Sequence, residues 1–378
     1  MNRCRLCLTP DTRPDTHFVD GICSACISYK QRDQVDWEER KRQLEALLEQ
    51  GRNGSGYDCI VPSSGGKDSH AQVMYLLKLG AKPLIVTAST CQLTPIGRAN
   101  LDNLARYATT IEVSPNKTVR AKLNRLGFEL VGDISWPEHV AIFTTPIRIA
   151  AALGIPLVFY GENPQEAYGG PPEADRDIEM TRRWVTEFGG QLGLRPRDLV
   201  GKMSLTEHDL ADYVMPDAEL VKARGVRAYF LGKFVRWDSW ENARVAIAAG
   251  MQAKLPTPAN AWGWENLDNA QTGLHDHLMF RKYGYGRMTM QLSVDIRSGH
   301  TSRGEALAKV HQHDGTFPWH YAGVAYDDVL ARIGMSVTQA YETMDGFTNW
   351  DLFDTDAGKY LRHKPRRVGD PSHTATAG

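Results

Sequence analysis

The chain has 378 residues, 42% hydrophobic and 24% charged, with a formal net charge of −1. Such a length suggests about two domains and a sizeable core, and near-neutral charge gives no ground for a nucleic-acid or anionic-membrane partner. No apolar run approaches the ~20 residues of a membrane span, and Met1–Cys7 has no apolar segment of the signal type, so a cytoplasmic enzyme is expected.

The first element is a cysteine module. Four of six cysteines are patterned: Cys4-x2-Cys7, then Cys23-x2-Cys26 after the segment Leu8 to Ile22. This is the four-thiolate zinc spacing. Each CxxC turns two sulfurs towards one ion, and two such turns complete a closed tetrahedron. The intervening segment has turn residues and little core, so metal would supply much of its folding free energy. Disulfides are the rival reading, which a reducing cytosol disfavours. Cys59 reads as a buried apolar residue on a strand, and Cys91 as a thiol near the nucleotide.

A charged helix follows, roughly Val35 to Glu49, with Trp37, Leu44, Leu47 and Leu48 as its apolar stripe. Gly51 to Gly56 reads as a flexible linker. Strand-like runs Asp58–Pro62, Pro83–Thr87, Thr109–Val113 and Pro156–Tyr160 then alternate with helix-like runs Asp68–Leu79, Pro95–Tyr107, Asn116–Leu126 and Glu138–Leu153. This alternation predicts an α/β fold, a parallel sheet flanked by helices. Ligands bind such sheets beyond the C-terminal strand ends.

One strand end carries the most informative stretch, Ser64-Gly65-Gly66-Lys67-Asp68-Ser69. Strand, Gly-rich turn and helix start together make an anion site. The glycines admit close backbone approach, and the helix start offers unpaired N–H groups and partial positive charge. Lys67 adds a cation, and Asp68 is a candidate for Mg²⁺. Glycine-lysine followed by Asp68 departs from the usual nucleotide P-loop. Gly161-Glu162-Asn163-Pro164-Gln165 marks a second strand end and Thr87 to Cys91 a third.

Beyond Gly170 the alternation fades into a mainly helical region. Helices are expected at Asp177–Gly189, Leu205–Met215, Ser239–Ala249, Arg303–Gln312 and Ala325–Ile333. The expected divisions are a zinc module at 1–33, a nucleotide domain at 34–200, a substrate-binding region at 201–363 and a frayed tail at 364–378.

Ser64–Ser69 resembles the PP-loop of the ATP pyrophosphatases. Those enzymes hold the β- and γ-phosphates as leaving pyrophosphate and transfer AMP to a substrate oxygen. Tyr229–Asp238, Gly273–Leu278, Phe280–Arg287 and Asp295–Gly299 resemble the C-terminal signature of the N-acetyl sugar amidotransferases, a bacterial family of surface-polysaccharide, O-antigen and flagellar nonulosonic acid biosynthesis. That family also begins with paired CxxC turns and carries a Gly-Glu-Asn-Pro-Gln stretch. The resemblance implies a PP-loop (HUP-like) domain and conversion of a sugar acetamido group into an acetamidino group with ATP, Mg²⁺ and Zn²⁺. It also implies a nucleotide-linked sugar substrate and a separate glutaminase subunit supplying ammonia.

On this reading Ser64, Gly65, Gly66, Lys67, Asp68, Ser69, Thr87 and Gly161 hold the nucleotide. Lys67, Asp68, Glu162 and Asn163 serve the chemistry. His275, His277, Arg297 and Trp237 are candidates for the sugar, with Asp295 and Arg297 as either an anion site or an ion pair. Trp240, Trp262 and Trp264 are read as core or as a stacking surface. A tRNA-thiolating PP-loop enzyme is the alternative; it would ordinarily need a further cysteine pair, and only Cys59 and Cys91 remain.

Overall fold

A computed structural model describes residues 1–378 except 53, 55, 172–173, 175–177, 356–366 and 369–378. Most of the expected tail, and part of the expected linker, lie outside the described residues.

The chain opens with a small hairpin, β1 (Phe18–Val19) against β2 (Ile22–Cys23), then α1 (Ser24–Gln31) and α2 (Trp37–Gly51). The Asp36 side chain accepts a hydrogen bond from the Glu39 amide and so starts α2. The centre of the molecule is a five-stranded, wholly parallel sheet. Its strands are β3 (Cys59–Pro62), β4 (Pro83–Ala88), β5 (Thr110–Val113), β6 (Leu157–Tyr160) and β7 (Arg227–Phe230), in the order β5-β4-β3-β6-β7. Between them run α3 (Lys67–Lys78), α4 (Pro95–Leu104), α5 (Lys117–Val131) and α6 (Trp136–Leu153), and α7 (Pro164–Tyr168) follows β6.

Alternation along the strands builds two cores. Ile60, Leu84, Val158 and Phe230 face α6 through Phe143 and Ile147, with Trp184 filling in behind. Val61, Ile85, Phe159 and Tyr229 face the opposite side, where Leu44 and Leu48 of α2 and Val73 and Leu76 of α3 cover them. Both faces are buried, which is why the strands read as continuous apolar runs.

The order places the switch point between β3 and β6. β3 sends its connection one way to β4, and β6 lies on its other side. Ligands collect in the crevice outside such a point, and both Gly-containing stretches singled out in the sequence leave the sheet there.

The fifth strand is a correction. β7 lies beyond residue 200, so the sheet extends past the expected division at 200/201. The helix Ser239–Ala248 also packs against α3. The helix expected at Asp177–Gly189 is shorter, Arg182–Phe188; Asp177 lies outside the described residues. Glu179 bridges to Tyr229 of β7, and Thr181 then caps the helix through the Trp184 amide. The helix expected at Leu205–Met215 is reduced to Glu207–Leu210 and a 3-10 turn, because Thr206 and Asp209 form a capping box inside the expected span.

The rest is helical, with Thr272–Tyr283, Arg287–Arg297, Arg303–His313, Tyr326–Arg332 and Val337–Phe347 as its main pieces. The cysteine module docks on this region. Leu8 packs among Met288, Leu292, Ala306 and Val310, and Arg303 donates to the carbonyls of Cys7 and Cys4 at 3.1 and 3.3 Å. Among the described residues no helix is long and apolar enough to cross a membrane.

Candidate functional site

The phosphate-type loop is built as the sequence expects. After β3 the Ser63 amide still donates to Val86 of β4 at 3.0 Å, and the chain turns through Ser64, Gly65 and Gly66 into α3. Gly65 has φ +79°, and a Cβ there would lie 3.0 Å from the Leu101 side chain and 3.1 Å from its amide nitrogen. Glycine is required on both counts. The Gly65 amide donates to Ser63 Oγ at 3.0 Å, and the Ser64 amide to Ser69 Oγ at 3.3 Å. No side chain caps α3 at Gly66, so its first-turn amides remain for an anion. Buried His70 supports the loop from beneath. Its Nδ1 lies 3.1 Å from the Gly66 carbonyl and its Nε2 3.1 Å from Asn103 Nδ2. A neutral ring donating at Nδ1 satisfies both, and burial lowers its pKa.

Above the loop, Lys67 meets three carboxylates. Its Nζ lies 2.7 Å from Asp68 Oδ2 and 3.0 Å from Glu265 Oε1, with Glu162 close enough to add to its field. Burial alone would drive this ammonium towards neutrality; Asp68 and Glu265 outweigh it and hold the pKa well above its ordinary value. Asn242 Nδ2 donates to Asp68 Oδ1 at 2.8 Å, and Tyr168 OH to Glu162 Oε1 at 2.9 Å. Burial, then the Asp68 charge, push the Glu162 carboxyl up to about 7 against the pull of Lys67 and Tyr168. One lysine among three carboxylates leaves net negative charge, and a divalent cation at Asp68 would relieve it. Lys67, Asp68, Glu162, Glu265 and Tyr168 line a cavity of about 170 Å³ that Arg287 also enters. Arg287 is held by Asp276 Oδ1 at 2.8 and 3.1 Å.

The Glu162 environment has a consequence for stability. A carboxyl whose folded pKa exceeds its unfolded value binds its proton more tightly when folded. Its contribution is therefore present below the unfolded pKa and is lost as pH rises through about 7. Glu162→Gln is expected to raise the melting temperature above pH 7 and to change it little near pH 4. Thermal melts across that range check it, and equal melting temperatures of the two proteins at pH 8 would contradict it.

Other expected residues fall in several places. Gly161 follows β6 and lets Trp237 approach; a Cβ would lie 3.1 Å from both the Trp237 ring and Gln72 Nε2. Trp237 lines the cavity beside Glu162. Thr87 is buried beside the loop on β4, and its Oγ1 has no hydrogen-bond partner among the described residues. Asn163 is turned to structural use. Its oxygen accepts from the Gln165 amide to cap α7, and its Nδ2 donates to the Ala174 carbonyl at 2.7 Å.

His275 and His277 do not act together, because residues two apart on a helix diverge by roughly 200°. His277 sits in the C-terminal core, 3.2 Å from the Gly315 carbonyl and edge-on to Phe317. His275 faces Asp133 instead. Asp295 and Arg297 diverge for the same reason. Asp295 accepts from Trp240 Nε1 and Trp262 Nε1 at 3.1 and 2.7 Å, within a cluster where Trp262 stacks on Trp264. Arg297 turns to the cysteines, donating to Cys7 Sγ at 3.6 Å and to the Ala167 carbonyl. It also borders a neighbouring hollow shared with Glu162 and Trp237. Glu265, Asn242, Tyr168 and Arg287 were not singled out in sequence as site residues. No local pattern marks them, since each arrives from a separate element.

The cysteine centre stands apart. Cys4, Cys7, Cys23 and Cys26 are buried with their sulfurs together. Cys4 Sγ lies 3.8 Å from Cys26 Sγ, and Cys7 Sγ 3.6 Å from Cys23 Sγ. A tetrahedral zinc with bonds of about 2.3 Å has sulfur–sulfur edges of about 3.8 Å. All four thiols are free of disulfides, and the set fits a zinc ion with a closed shell.

Residues 250–366 match the family model described as LPS biosynthesis protein WbpG-like, C-terminal domain. No curated protein matches the chain. The family match points to lipopolysaccharide or related sugar biosynthesis and, with it, to an enzyme.

Proposed function

We propose that this chain is an ATP-dependent, AMP-forming amidotransferase that converts the acetamido group of a nucleotide-linked bacterial sugar into an acetamidino group. The observation that carries the reading is the meeting of the uncapped Ser64–Ser69 turn with Lys67, Asp68 and Glu162 at the switch point of a parallel sheet. The match to a polysaccharide-biosynthesis domain supports a sugar substrate.

The chemistry follows from the weakness of an amide as an electrophile. The amide oxygen attacks the α-phosphorus of ATP, and pyrophosphate leaves. The resulting adenylated imidate has AMP as its leaving group. Ammonia adds to the imidate carbon, a proton is lost, and the carbon–oxygen bond to AMP breaks to give the amidine. The α3 amides and Lys67 would stabilise charge on the departing pyrophosphate. Asp68 would hold Mg²⁺, which supplies further charge neutralisation at the phosphates when bound. Glu162, with a pKa of about 7, is suited to accept the proton from the adding nitrogen. Trp237 borders the same space and would bind the sugar.

Ammonia would come from a separate glutaminase subunit, and the setting would be cytoplasmic. Sulfur transfer to tRNA is disfavoured by the remaining cysteines. Cys59 is fully buried on β3, where desolvation raises its thiol pKa, and burial raises that of Cys91 as well.

The test is incubation with ATP, Mg²⁺, ammonium and a panel of nucleotide-linked acetamido sugars, read by mass spectrometry. The expected product carries NH in place of the amide oxygen. ATP turnover that depends on tRNA and on no sugar would overturn the assignment.

A further inference from the structure

A second cluster of chemistry-bearing groups lies away from both the cysteines and the Lys67 cavity. Asp133 follows Gly132, the left-handed cap of α5. His139 stands in the early turns of α6, and His275 comes from the helix Thr272–Tyr283. Both imidazoles turn Nδ1 towards the one carboxylate. His275 Nδ1 is 2.7 Å from Asp133 Oδ1, and His139 Nδ1 is 3.1 Å from Oδ2. The three candidate ligand atoms all lie within 4.8 Å of one another.

We propose that Asp133, His139 and His275 form a second metal centre, a zinc-type site with three protein ligands and a position open to solvent. Four observations carry it. Two imidazole nitrogens and one carboxylate oxygen are the donor set of open zinc sites, in contrast to the closed thiolate shell. The carboxylate is fixed in place, its Oδ1 accepting from the Ser135 amide at 2.8 Å. His139 Nδ1 is buried 3.1 Å from Oδ2 and makes no aligned hydrogen bond among the described residues. Finally, the cluster borders a cavity of about 490 Å³, also lined by Phe143, Met279 and Tyr283. That leaves room for water or an oxygen ligand on the ion.

A carboxylate shared by two imidazoles can also be a plain hydrogen-bonded cluster, and metal binding separates the two. The full-length protein is titrated with Zn²⁺ by calorimetry and with Co²⁺ by absorption spectroscopy. One ion is expected with thiolate-to-cobalt charge transfer, and a second with none. His139→Gln and His275→Ala should each weaken the second ion by about 100-fold or more while keeping the first. Circular dichroism checks folding. Should His275→Ala fail to fold, His139→Gln, at a side chain 29% exposed, carries the comparison. A single ion per chain, or a second ion held equally well by the variants, overturns the proposal.

Discussion

Replacing Lys67 by alanine is expected to abolish AMP-forming turnover and to lower the melting temperature together. The first effect follows from losing the cation nearest the loop; removing one well-placed group of this kind costs about 10²–10³ in rate. The second follows from the company Lys67 keeps. Its Nζ joins Asp68 at 2.7 Å and Glu265 at 3.0 Å in a site where its own side chain is 8% exposed. Asp68 is 37% exposed and regains water, but Glu265, at 16%, is left largely buried without its ion pair; breaking a fully buried pair costs about 3–5 kcal/mol, which bounds the loss from above. That cost should ease in acid as Glu162, whose carboxyl is pushed up to about 7, takes up its proton, which melts at pH 5 and pH 8 would reveal. Asp68→Asn separates the two effects. It preserves shape and removes a charge from an acid-rich site, so it should lose turnover without losing stability. Full turnover in Asp68→Asn would remove it from the metal role.

Breaking the four-cysteine centre, which fits a zinc ion, is expected to disturb the Lys67 cavity from a distance. The route is physical. Arg297 joins Cys7 Sγ to the Ala167 carbonyl of α7, and Thr16 Oγ1 and Arg13 of the cysteine module both donate to the Gly169 carbonyl at the end of α7. The next residue after Ala167 is Tyr168, which holds Glu162 at 2.9 Å. Burial would lower the pKa of the Arg297 guanidinium, yet Cys7, Cys26 and Cys23 more than offset this and hold it above its ordinary value. Cys7→Ser, or a strong chelator, should therefore expose residues 1–33 to protease and cut turnover steeply. Small zinc modules draw about 10 kcal/mol or more of apparent folding free energy from the metal. Intact protease resistance and activity in zinc-free protein would contradict this.

What the sequence disclosed was what local chemistry encodes. The Ser64–Ser69 turn, the first four strands of the sheet and the paired CxxC turns each depend on neighbours in the chain, and each is present. β7 escapes the sequence reading because Arg227–Phe230 is a short run at the sheet edge, and the helix before it, Ala218–Ala223, has only six residues. Its place is set by pairing with β6, a long-range contact. The same limit governs the site. Glu265 and Asn242 reach Lys67 and Asp68 from far along the chain, and nothing near them in sequence marks the meeting. His275 and His277 are sent to opposite sides by helix geometry, a separation that their closeness in sequence does not show.

The central claim is that ATP is cleaved between its α- and β-phosphoryl groups to activate a carbonyl oxygen. Phosphorus NMR of a turnover mixture containing ATP, Mg²⁺, ammonium and an acetamido sugar nucleotide tests it most directly. AMP and pyrophosphate should accumulate in step with amidine. ADP and orthophosphate in their place would contradict the account.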